Sequence, residues 1–68
     1  MKEFLLDGEF IELIKLLKIM RICESGGQAK MMVDEGLVKL NGDTEFRKRA
    51  KLRKGDVVRV FDVSIIIK

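Results

Sequence analysis

The sequence predicts an α+β domain in which two packed helices precede a small antiparallel sheet. Three observations carry this expectation. Apolar residues recur at the helical period between Phe10 and Met20. A capped helix start and a glycine stop bracket residues 25–36. From Val38 onward the apolar period changes to two, with Asn-Gly and Lys-Gly-Asp turns between the runs.

Taken in order, Phe4-Leu5-Leu6 before Asp7-Gly8 reads as a short edge strand ending in a turn. The first helix covers about Glu12–Met20, with a start that could reach back to Glu9. In "ESGGQAKMMVDEG", Ser25 can cap the next turn and Gln28, three residues on, can complete a capping box. Ala29, Met32 and Val33 share one face of the second helix, about Gly26–Glu35, and Gly36 stands at its left-handed stop. Val38 and Leu40 begin the sheet, Asn41-Gly42 is a hairpin turn, and Lys54-Gly55-Asp56 is a second turn. Val57–Phe61 and Ser64–Ile67 are the last strands.

At 68 residues the chain makes one domain, residues 1–68, near the lower size limit for folding without metals or disulfides. So small a core should claim Phe4, Phe10, Met31, Met32 and Phe46. Cys23 is the only cysteine, which excludes an internal disulfide and suits a reducing cytosol. A small buried residue is a better reading of it than a reactive thiol. Without histidine, a zinc site of the usual ligands is excluded. No secretory signal and no stretch of membrane-spanning length is present, so a soluble, cytoplasmic protein is expected.

The net charge of +3 conceals an asymmetry. Residues 1–45 carry six basic against nine acidic side chains, and residues 46–68 carry eight against two. "RKRAKLRK", residues 47–54, concentrates six of the fourteen cations. If residues 45–53 are extended, Glu45, Arg47, Arg49, Lys51 and Arg53 share one face, and Phe46, Lys48, Ala50 and Leu52 the other. A solvated face normally mixes signs, so a row of cations favours a polyanionic partner. Leu52 is the expected anchor of an ordered segment. A phosphate could also approach the start of the second helix through Ser25-Gly26-Gly27, with Lys30 one turn on, although the spacing alone fits an ordinary N-cap.

"SGGQAKMMVDEGLVKLNG" followed by "RKRAKLRKGDVVRV" resembles the RNA-binding module of ribosomal small-subunit protein S-four, the alpha-L motif. The likeness runs over about residues 10–60 and is greatest to short stand-alone bacterial members. It implies two packed helices against a strongly bent antiparallel sheet, and binding to structured RNA, ribosomal or transfer. By position it implies an RNA-facing set of Ser25, Gly26, Gly27, Gln28, Lys30, Lys39, Asn41, Arg47, Lys48, Arg49 and Lys51. Where many relatives carry a basic residue near the start of helix 2, this chain has Cys23-Glu24, and Arg21 is the substitute cation.

The expected function is therefore non-enzymatic RNA binding, on the ribosome, a ribosomal precursor or tRNA, by a monomer needing no cofactor. Attraction would be salt-sensitive and directed at backbone shape. Base stacking is not expected, because most of the four Phe are assigned to the core. Without a histidine base, catalysis is the weakest class. The competing class is protein interaction, through the widely apolar helix 1 or the Ile65-Ile66-Ile67 run.

Overall fold

The computed structural model describes residues 1–68. Its elements are β1 (Lys2–Phe4), β2 (Ile11–Glu12), α1 (Leu13–Ile19), α2 (Gly26–Asp34), β3 (Val38–Leu40), β4 (Asp43–Thr44), β5 (Lys51–Leu52), β6 (Val57–Val60) and β7 (Val63–Ile67). Five strands form one sheet in the order β1-β7-β6-β3-β4, and β2 pairs with β5 in a second, two-stranded sheet.

The α+β class holds, with two differences of detail. β1 joins the edge in parallel, Glu3 opposite Ile66, so the large sheet is mixed. The strand occupies residues 2–4 and not 4–6, because Leu6 turns into the core while Leu5 is exposed. As a result β7 lies between β6 and β1, and its isoleucine run is not a free edge. Phe61 lies outside β6, in the turn to β7.

Helix α1 begins without a side-chain cap, since Glu12 is extended and makes no capping bond. Instead the N–H groups of Leu13 and Ile14 donate to the carbonyls of Ala50 (2.9 Å) and Lys48 (3.2 Å). These are donors that a helix cannot satisfy internally. The helix stops where Arg21 takes a left-handed conformation (φ 59). Its N–H reaches Lys18 O, and Ile22 N–H reaches Leu17 O, which is a Schellman termination. Helix α2 stops in the same way at Gly36 (φ 74), with Leu37 N–H on Met32 O. An arginine in this position is costlier than the glycine.

One cluster of sixteen apolar residues forms the core, and no polar residue is buried. It takes Leu13, Leu16 and Leu17 from α1, Ala29, Met32 and Val33 from α2, and Val38, Val58, Val60, Ile65 and Ile67 from the sheet. Phe10, Met31 and Phe46, expected inside, are exposed, while Phe4 is partly buried. Aliphatic residues already occupy the inward positions of each element. Met31 falls between the buried positions 29, 32 and 33 and is turned outward by the helical period. Phe46 follows the outward Thr44 by two residues.

Cys23 is buried, and desolvation pushes its thiol pKa up, against the smaller opposing effect of Lys18. It is therefore a neutral packing residue at physiological pH. Iodoacetamide should modify it only as fast as the chain opens, and labelling at the rate of a free thiol would contradict this placement. Leu52 is fully buried. Leu52→Ala should cost about 2–5 kcal/mol in denaturant unfolding.

Candidate nucleic-acid interface

The expectation of an extended 45–53 segment is corrected by the structure. Lys48 and Arg49 form a turn, closed by Ala50 N–H on Arg47 O (3.2 Å), and only Lys51–Leu52 is a strand. The physical reason lies at α1. Turning the chain at this point delivers the Lys48 and Ala50 carbonyls to the unpaired donors of Leu13 and Ile14. Ile11 opposite Leu52 and Glu12 opposite Lys51 continue the contact. Ala50 and Leu52 are buried, which leaves Arg47, Arg49, Lys51 and Arg53 around an open depression of about 480 Å³ floored by Ala50.

The cations of this segment are not equivalent. Arg47 is gripped by Glu45, Nη2 to Oε1 at 3.0 Å and Nε to Oε2 at 3.1 Å, with its own N–H on Oε2 at 2.9 Å. Glu45's side chain is only 12% exposed against 78% for Arg47, so the acid is fixed and the guanidinium faces water. Lys48 is half-buried and pairs with Asp34 at 3.2 Å. Arg49, Lys51 and Arg53 have no carboxylate within ion-pair distance. Lys51 lies 4.8 Å above the Phe10 ring, a cation–π contact that helps hold it upright. The expected row of cations without an intervening anion is thus unpaired at Arg49, Lys51 and Arg53, while Arg47 is held by the Glu45 that heads it.

At α2, Ser25 Oγ accepts from Gln28 N–H at 3.1 Å, as expected of the cap. Gln28 reaches back one residue further than a capping box requires, to Glu24 N–H at 2.8 Å. Gly26 and Gly27 are helical, and a Cβ on either would meet nothing closer than Ser25 Oγ at 3.9 Å. Nothing within the chain demands glycine there, although each is unfavourable in a helix. The backbone at the start of α2 is open to approach from outside.

Asn41 (φ 51) and Gly42 (φ 93) form the hairpin turn. The Asn41 amide is already engaged, donating to Asp56 Oδ1 at 3.0 Å and accepting from Val57 N–H at 2.9 Å. It ties one hairpin to the next turn, where Asp56 also accepts from Arg53 N–H at 2.8 Å. Lys39 and Lys30 are exposed on β3 and α2, and Arg21 is exposed between the helices.

The expected residues fall into separate groups. Residues 46–50 touch the first turn of α1 and the far end of α2, by Lys48 on Asp34 and Phe46 beside Gly36. Ser25–Gln28 stand at the opposite end of α2, about 12 Å away along its axis. Arg53, Lys54 and Arg59 are further exposed cations of this half of the chain that were not among the expected site residues, and Lys68 is exposed beside Glu3. Arg59 was obscured because a basic residue within a strand reads simply as its wet face.

A family model described as the S4 domain matches residues 4–68. The chain belongs to the S4 domain family. It is 48% identical over 48 residues to the putative RNA-binding protein YbcJ of Escherichia coli (strain K12), covering 71% of this chain and 69% of that protein. It is 38% identical over 55 residues to the probable ribosome maturation protein RlbA of Bacillus subtilis (strain 168), covering 81% and 78%. The solution structure of E. coli YbcJ, described as revealing an alfaL motif involved in RNA-binding, superposes with a TM-score of 0.75. That likeness has 40% identity and covers 98% of this chain and 86% of the other.

Hydrogen bonding from Arg47 holds the Glu45 carboxyl below the usual carboxylate range, while partial burial opposes it. A carboxyl depressed in the fold stabilises it above the unfolded pKa. That contribution is lost as pH falls through the lowered folded value. An NMR titration should place Glu45 below its ordinary midpoint, and Arg47→Ala should move it upward. An unchanged midpoint in that variant would show that Arg47 is not the cause.

Proposed function

We propose that this S4-domain protein is a non-enzymatic, cytoplasmic RNA-binding protein that takes structured RNA, ribosomal or transfer, as a monomer. The observation that carries the reading is the depression between Arg47, Arg49, Lys51 and Arg53, whose backbone is held by α1 and whose floor is Ala50. A backbone fixed this way loses little freedom on meeting a phosphate, so binding orders the long side chains without having to order the segment. The cations displace counterions from the phosphates they meet, and the arginine forks can take two oxygens each.

The open N-terminal turn of α2 supplies a second anchoring point. Gly26 and Gly27 let a phosphate reach the free helical N–H groups, and Lys30 adds charge one turn on. Anchors at the two ends of α2 would read the separation of phosphates, that is, backbone shape. Arg21 and Lys39 extend the basic surface, whereas Asn41 serves by fixing the hairpin. The name of the B. subtilis relative favours ribosomal RNA or a ribosomal precursor over tRNA. The protein-interaction reading has less support, because β7 is covered by β1. No helix is long and apolar enough to cross a membrane.

The test is a binding titration against a structured ribosomal RNA fragment at several salt concentrations. Arg49→Ala/Lys51→Ala/Arg53→Ala should weaken binding and reduce the log–log salt slope by about 2. Wild-type affinity and slope in a folded triple variant would show that the depression is not the binding surface.

A further inference from the structure

The outer face of the large sheet carries features that the basic depression does not use. Register sets Lys39 opposite Arg59, two cations side by side across the β3–β6 ladder. Like charges so placed repel. No carboxylate pairs with either, and Arg59 Nη1 has only Ser64 Oγ, at 3.3 Å.

Next to this pair, toward the end of the sheet, stand three exposed apolar side chains. Leu37 precedes Val38, Phe61 follows Val60, and Phe46 follows Glu45, whose N–H donates to Val38 O at 2.9 Å. Leu37 and Phe46 are two positions from the outward Lys39 and Thr44, and Phe61 stands in the turn that follows the strand of Arg59. They are 37%, 64% and 61% exposed respectively. Phe46 rests one side of its ring on Gly36, where an added Cβ would stand 3.5 Å from two ring atoms. β6 and β4, the strands that lead to Phe61 and Phe46, are two strand spacings apart, about 10 Å.

Phe61 is also held where phenylalanine is disfavoured. It is the first residue of the two-residue turn between the paired Val60 and Val63, with φ 54. A position of that kind favours glycine, and a bulky residue there is an outlier. Exposure means that burial does not offset the strain. Such outliers are retained where the side chain has a task.

We propose that this face takes unpaired bases of RNA, Phe46 and Phe61 stacking on bases while Lys39 and Arg59 hold the adjoining phosphates. The inference rests on the RNA-binding reading and narrows its ligand to RNA with a bulge or open loop. It also reverses the expectation that aromatic stacking is excluded, since three of the four Phe are exposed. Charge decides between nucleic acid and protein. Two unpaired cations flanking aromatic rings match a phosphate–base alternation.

The experiment compares a fully paired RNA hairpin with the same hairpin carrying a three-nucleotide bulge that contains 2-aminopurine, using the full chain. The wild type should bind the bulged RNA roughly tenfold more tightly and quench the 2-aminopurine. Phe46→Ala/Phe61→Gly should abolish both the preference and the quenching, with affinity for the paired hairpin unchanged. Phe61→Gly alone should melt no lower than the wild type, which separates loss of stacking from loss of fold. Equal wild-type affinities, or a preference that survives the double variant, would overturn this inference and leave the general RNA-binding reading standing. Failure of the wild type to bind either RNA would overturn both. Loss of a co-purifying protein by the double variant, with bulge preference intact, would assign the face to a protein and overturn the inference.

Discussion

Two backbone hydrogen bonds, from Leu13 and Ile14 to the carbonyls of Ala50 and Lys48, join the most basic stretch of the chain to the start of its first helix. Each side supplies what the other lacks. The helix has no capping side chain, and the basic stretch has too few apolar residues to hold itself. With Ala50 and Leu52 buried beneath, the segment is fixed at its backbone while its long side chains remain in water. The order in the proposed RNA surface therefore comes from a helix cap and two apolar anchors, and no salt bridge is needed to fix it.

Electrostatics then divides the cations. Glu45 and Asp34 take Arg47 and Lys48, which moderates repulsion where the chain turns. Arg49, Lys51 and Arg53, in and after the turn, are left without a paired acid. Exposed ion pairs contribute little to stability. Their consequence here is positional: they hold the approach to the depression while leaving its interior net positive. The same economy recurs on the sheet, where Lys39 and Arg59 face each other without an acid.

Local signals made much of the fold legible. The Ser25–Gln28 cap, the Gly36 stop, the Asn41-Gly42 turn and the period-two strands each depend on neighbours in sequence, and each stands where those neighbours put it. What escaped depends on partners far along the chain. The parallel pairing of β1 with β7 joins the two ends, and the turn at Lys48–Arg49 exists because α1 requires acceptors. Composition also misplaced Phe10, Met31 and Phe46, since counting large residues ignores that aliphatics already fill the inward positions. The charge run and the ordered S4-like pattern both pointed to the basic segment. Neither could reveal that Asn41 is committed to Asp56 and Val57, or that Arg59 stands beside Lys39.

If the anchored basic segment and the open start of α2 form the surface that meets RNA, their backbone amides should respond to it most strongly. The most direct measurement is an amide-resolved NMR titration of the chain with a structured ribosomal RNA fragment. The largest shifts should fall on Arg47–Arg53 and Gly26–Gln28, with β1 and the β7 backbone beside it little changed. Shifts concentrated on β1 and β7, with the amides of residues 47–53 unmoved at saturation, would contradict it.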